Sequence, residues 1–161
     1  MNEQPVTQAM ENFWVEARRH CPELPDTFTC RQIGSQPAIN AAILDAIASG
    51  NKTGTVSLPE IYRQLDRPRP AVGDGIIFQD AEGAAARAVM ITNIDDVPYG
   101  QITEQHTSLD GPRVRALDAW QATHKGWFDS VLAPYNQRCD DDTIIAFETF
   151  RVCYPPLAQD R

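Results

Sequence analysis

The order of elements predicts an α+β fold in which helices surround a small mixed β-barrel. Three observations lead there: several short β-branched or aromatic runs, helical patterns that flank them instead of alternating regularly with them, and no repeat or linker that divides the chain. At 161 residues the chain has the usual size of one domain, so a single domain over 1–161 with one core is expected.

Val6, Met10, Phe13, Trp14 and Ala17 fall at helical spacing. They predict an amphipathic helix over about 4–20, packed on the body and closed by the turn at 22–25. After a short extended piece at 30–34, Ser35 and Pro37 open a second helix with Ile39, Ile43 and Ile47 on one face, and Gly50 stops it as a left-handed cap. A strand at 55–58 then meets Ser57, Leu58, Pro59 and Glu60, a capping-box pattern that starts a short helix through Tyr62 and Leu65. Pro68 and Pro70 break that helix. A strand at 75–79, a turn at 80–83 and a return strand at 87–94 make a hairpin. A helical turn over 103–109 delivers Asp110 and Gly111. Leu117, Trp120, His124, Phe128 and Leu132 follow three- and four-residue steps along one helix, which Gly126 weakens without ending it. The acidic run Asp140, Asp141 and Asp142 reads as a turn before a final strand at 143–154.

A hydrophobic fraction of 42% and a charged fraction of 22% exclude wholesale disorder and a coiled coil. No apolar run approaches the roughly 20 residues that span a bilayer, and the first eight residues have neither the basic nor the apolar part of a signal peptide, so no membrane association and a cytoplasmic location are expected. Cys21, Cys30, Cys139 and Cys153 form no CxxC pair, and His20, His106 and His124 add no zinc-finger spacing, so the thiols read as small hydrophobes. A net charge of -8 repels polyphosphate at long range, which argues against coating extended duplex DNA and confines any nucleic-acid contact to a local surface. Lys52, Arg63, Arg67 and Arg69 form one basic stretch, Arg113 and Arg115 another; both are equally readable as solvated surface.

Gly50-Asn51-Lys52-Thr53-Gly54-Thr55, directly after a helix, resembles the G-x-K-T-x-T signature of ASCH domains, members of the PUA-like superfamily. A worn phosphate loop fits less well, because a P-loop lysine follows a strand and opens a helix. Further matches occur in the family's order: Pro68, Pro70, Gly73 and Asp74 as its PxPxxGD turn, the segment 102–111 as its I-x-E-x-H-A-x-x-E-G run, Arg115, Leu117, Trp120, His124 and Phe128 as the helix of longer ASCH proteins, and Phe147-Glu148-Thr149-Phe150 as the closing strand. The resemblance spans about 13–154 and implies a PUA-like small mixed β-barrel flanked by helices. The sequence departs from the family where Asp110 replaces a glutamate and where Pro112 and Val114 replace acidic residues.

The resemblance also implies chemistry. In short ASCH enzymes that deacetylate N4-acetylcytidine, a lysine, a threonine and a glutamate form the catalytic group; by motif these are Lys52, Thr55 and Asp110. A partly buried lysine amine can take the Thr55 hydroxyl proton, the alkoxide attacks the acyl carbon, and Asp110 orients Lys52 or returns a proton to the leaving amine. That route needs no cofactor. A ribonuclease of the kind found among longer ASCH proteins would need a divalent cation, Mn or Mg, for which Glu104 and Asp110 are the nearby carboxylates. Arg115, Tyr62, Ser57 and Arg69 are expected substrate contacts, through a planar guanidinium, a stacking ring and a hydroxyl. His106 is read as an acid or base in phosphodiester cleavage or as a partly buried helix residue, while Tyr99, Trp120 and His124 are read as packing. Structural readings stand beside these: Lys52 as a surface lysine after a cap, Thr55 as a strand residue, Asp110 as a turn former. RNA or a modified nucleoside is the expected partner, taken by a hydrolase or, alternatively, by a non-catalytic RNA-binding module.

Overall fold

The computed structural model describes residues 5–157. Thr7 caps α1 (Gln8–His20) by accepting the Met10 N–H at 3.3 Å, with Glu11 in the first turn and Arg18, Arg19 and His20 in the last, where each complements the helix dipole. That cap places the start of α1 at Gln8, later than the expected 4; residues 5–7 precede the helix and Val6 is exposed, while residue 4 lies outside the described residues. Next come β1 (Thr29–Gln32), α2 (Pro37–Ala48), β2 (Gly54–Ser57), α3 (Pro59–Gln64), β3 (Gly75–Gln79), β4 (Ala85–Pro98), α4 (Glu104–Thr107), α5 (Leu117–Leu132) and β5 (Ile144–Tyr154). The strands form a mixed sheet in the order β1-β3-β4-β5-β2, with β1 parallel to β3 and the β3/β4 and β2/β5 pairs antiparallel. The α+β expectation therefore holds. No helix among the described residues is long and apolar enough to cross a membrane.

The chain divides into two compact units, one comprising the described residues up to Thr53 with Val72–Thr92 and the stretch from Phe150, the other Gly54–Ala71 with Asn93–Thr149. Each has its own apolar cluster where the composition led to an expectation of one core.

In the first unit Met10, Trp14 and Ala17 of α1 pack with Leu24, Ile77 and Ala88. Trp14 Nε1 donates to the Pro25 carbonyl at 3.1 Å. The indole lies so close to β3 that a Cβ on Gly75 would stand 2.3 Å from its Cη2, so only glycine fits there. α2 turns one isoleucine inward: Ile47 is fully buried, whereas Ile39 is exposed, which narrows the predicted apolar face. Buried Asn40 ties this helix to β3 instead, its Nδ2 donating to the Ile33 and Gln79 carbonyls at 2.7 and 3.0 Å. Gly50, at φ 73°, ends the helix as predicted. Asp80 Oδ1 accepts the Glu82 and Ala84 N–H groups in the β3–β4 turn, and β4 begins at Ala85, earlier than the expected 87.

In the second unit Trp120, Phe128 and Leu132 of α5 pack with Leu58, Val97, Tyr99, Ile102, Ile145 and Phe147. Trp120 stacks on Phe147 with ring centres 5.5 Å apart, and Tyr99 meets Phe128 edge-on, which makes Tyr99 the core residue it was expected to be. Gly126 sits inside α5 without ending it. Asp140 Oδ1 accepts from the Asp142 N–H and the Thr143 hydroxyl, forming the turn before β5 that the acidic run predicted.

Candidate functional site

The candidate site in the second unit is built on the β2/β5 ladder. Thr55 pairs with Glu148, Val56 with Phe147 and Ser57 with Ala146, so strand alternation puts Thr55, Ser57 and Glu148 on one face and Val56 and Phe147 on the other, against the α5 core. Ser57 does not cap α3. Leu58 holds the cap position without a side-chain bond, and the Ser57 hydroxyl donates to Glu148 Oε1 at 2.5 Å, which corrects the capping-box expectation: a buried carboxylate one step along the ladder outcompetes the helix terminus for the hydroxyl. Glu148 is only 1% exposed, and this charge-assisted bond offsets part of the cost of burying it.

Asp110 lies just beyond α4, in a loop held by backbone contacts. Its N–H donates to the Thr107 carbonyl at 3.0 Å, Oδ1 accepts the Gly111 N–H at 2.9 Å, and its carbonyl accepts Arg115 Nε at 2.8 Å. The Thr107 hydroxyl in turn donates to the Arg115 carbonyl at 2.5 Å. Arg115 thus braces the loop that holds the aspartate. Asp110 is 9% exposed, and Oδ2 stands 3.6 Å from His124 Nε2. His124 Nδ1 lies 2.9 Å from the Trp120 carbonyl, which can only accept, so Nδ1 carries a proton and Nε2 is the nitrogen presented to the aspartate. The ring also stacks on Trp120 at 4.3 Å, so His124 packs as expected and faces the carboxylate as well.

Thr55, Asp110, His106 and Trp120 are among the residues lining a cavity of about 10 Å³, room for about one water. Trp120 is fully buried, and its Nε1 has no acceptor among the described residues. His106 Nδ1 accepts the Thr103 N–H at 3.0 Å, which puts the neutral ring's proton on Nε2, 3.8 Å from Asp95 Oδ2. This bond closes the first turn of α4 and favours the helix-residue reading of His106 over the acid–base one.

Of the other expected contacts, Tyr62 is half-buried on α3. Arg69 forks onto Asp96 at 2.8 and 2.6 Å; the hydrogen bonds of this pair hold the Asp96 carboxyl below its usual range and the Arg69 guanidinium above its own. Glu104 is exposed in the first turn of α4, and no group of three or more His, Cys, Asp or Glu side chains able to hold a metal occurs among the described residues. Lys52 belongs to the first unit. Its N–H donates to the Ala46 carbonyl at 2.9 Å just past the end of α2, and at 5% exposed it is a buried lysine rather than a surface one.

The sequence reading missed two residues as site members, Glu148 and His124. Period-two alternation would have put Glu148 on the face of Thr55 had the register of β2 against β5 been known. For His124 facing Asp110, 14 residues earlier in the chain, no local pattern carries the signal.

The fold is α+β, with a small cavity at the start of an edge strand. The ASCH domain family model matches residues 29–154, and the chain belongs to that family. It is similar to the structure of an ASCH domain from Lactobacillus crispatus JV V101, with a TM-score of 0.84 and 21% identity over 96% of this chain and 99% of that one. It is also similar to a protein of Enterococcus faecalis V583, with a TM-score of 0.77 and 21% identity over 91% of this chain and 89% of that one. The helix-flanked, barrel-like fold expected from the sequence is the fold of these structures. No curated protein matches the chain.

Proposed function

We propose that this ASCH domain protein is a hydrolase of RNA or a modified nucleoside, and that the bond it cleaves is an amide such as that of N4-acetylcytidine. The observation that carries the reading is that Thr55 and Asp110, far apart in sequence, line the same small cavity, with His124 behind the aspartate. The Thr55 hydroxyl attacks the acyl carbon and its proton passes to the lysine amine that the family motif assigns as base, Lys52, three positions earlier in the chain. The C–N bond breaks, Asp110 relays a proton to the departing amine, and water hydrolyses the acyl-threonine in a second step. Ser57, Tyr62, Arg69 and Arg115 are the proposed contacts to base and phosphate.

The test is incubation of the purified protein with N4-acetylcytidine and, separately, with single-stranded RNA, each with manganese or with a chelator, beside Lys52→Ala and Thr55→Val. Cytidine release that both substitutions abolish is the expected result. Thr55→Val keeps the shape of the strand residue, so turnover that survives it removes the hydroxyl nucleophile from the mechanism. RNA cleavage that depends on manganese would replace the amide reading with the ribonuclease one, and salt-dependent RNA binding without turnover would favour the binding module.

A further inference from the structure

Away from that pocket, in the first unit, four polar side chains meet where α1 ends. Cys21 Sγ lies 3.0 Å from Cys153 Sγ of β5, closer than two sulfurs approach in ordinary packing. Arg151 Nη2 donates to Cys21 Sγ at 3.2 Å, Glu23 Oε2 accepts from that sulfur at 3.4 Å, and Arg151 reaches Glu23 at 3.6 Å. Both cysteines are free thiols. They are 6% and 7% exposed, in contact with solvent at the margin of the apolar cluster they share with Met10, Trp14 and Ala17. Tyr154 packs on Phe13 and His20 of α1, at ring distances of 5.1 and 4.9 Å, holding the two sulfur-bearing segments together.

We infer that Cys21 and Cys153 form a peroxide-reactive dithiol, with Cys21 the attacking sulfur and Cys153 the resolving one. The asymmetry follows from the neighbours. Cys21 has a guanidinium to neutralise the charge that develops on Sγ and a carboxylate to accept its proton, whereas burial holds the Cys153 thiol protonated, its pKa raised to about 12. In the first step Cys21 sulfur attacks one oxygen of a hydroperoxide. The O–O bond breaks, sulfur is oxidised by two electrons to the sulfenic acid, and the other oxygen leaves as water or alcohol. In the second step Cys153 sulfur attacks Cys21 sulfur, the S–O bond breaks, and the hydroxyl leaves as water with the Cys153 proton. Two thiols and one peroxide give one disulfide and two waters when the peroxide is hydrogen peroxide. The sulfurs need to approach by about 1 Å to reach bonding distance, a shift that side-chain rotation supplies. Cys30 lies instead beside the Met10 thioether at 3.7 Å, and burial raises its pKa.

The full chain treated with hydrogen peroxide should lose two of its four free thiols, yield a non-reduced peptide joining Cys21 to Cys153, and melt at a higher temperature until dithiothreitol restores it. Cys153→Ser should stop at a Cys21 sulfenic acid trapped by dimedone. Arg151→Gln should slow cross-linking about tenfold, the effect of removing the charge beside the attacking sulfur, while Arg151→Lys keeps most of the rate. Oxidation that leaves the Cys21 and Cys153 peptides unlinked in the unsubstituted protein, or dimedone labelling of Cys30 or Cys139 ahead of Cys21, overturns the assignment.

Discussion

Replacing Ser57 with alanine removes the hydroxyl that donates to Glu148 and leaves the carboxylate where it is, 1% exposed between β2 and β5. A hydrogen bond to a charged buried group contributes about 1.5–3 kcal/mol, and losing this one leaves more of the carboxylate's desolvation cost uncompensated without creating a cavity larger than one oxygen. For a chain of this size each kcal/mol moves the melting temperature by about 2–4 °C, so Ser57→Ala should melt about 3–12 °C lower. The cause is separated from general strand damage by repeating the substitution in a Glu148→Gln background. An amide needs the hydroxyl less than a carboxylate does, so the two changes should couple by about 1 kcal/mol or more in a double-mutant cycle read by urea denaturation. A Ser57→Ala cost that is the same in both backgrounds, or a melting shift below 1 °C, would refute the claim that this bond compensates the buried charge.

Gly75→Ala should cost about 1–3 kcal/mol in the same denaturation assay, because its Cβ meets the rigid Trp14 indole at 2.3 and 2.5 Å; an unchanged midpoint would mean that α1 shifts freely. Hydrogen bonds from Arg63, Gln64 and Gln137 lower the Glu60 pKa from 4.5 to about 2. A depressed carboxyl stabilises the fold above its unfolded value and loses that contribution as pH falls through its folded one. The stability gap between the protein and Glu60→Gln should therefore be constant above pH 4.5 and close between 4.5 and 2; a gap that widens on acidification contradicts the pairing. Asp110→Glu restores the side-chain length typical of the family, and since a displacement on the order of 1 Å costs about a hundredfold in rate, it should raise deacetylation well above that of the unsubstituted protein, with lower activity counting against Asp110 as the proton relay.

Much of this was legible from local pattern. The spacing of Met10, Trp14 and Ala17 gave α1, Gly50 gave the end of α2, and the turn residues from Asp80 to Gly83 gave the β3–β4 hairpin, because each of these is decided within a few residues by periodicity or by backbone conformation. The errors arose where a residue had a distant competitor. Ser57 carries a capping pattern with Glu60, yet Glu148, 91 residues away, takes its hydroxyl; Glu60 turns instead to Arg63, Gln64 and Gln137.

The candidate site divides in the same way. Lys52, Thr55 and Asp110 could be picked from the sequence because they stand in a family motif, and the motif also gives the ASCH assignment. Sequence by itself determined the elements, their order and the family, since these depend on short-range periodicity and residue type. Only the tertiary structure decided that Glu148 shares a face with Thr55, that His124 presents Nε2 to Asp110, and that Cys21 and Cys153 touch. Strand register, tautomer and sulfur contact are set by which distant backbone groups and side chains win each hydrogen bond and packing position, and that competition leaves no local trace in the chain.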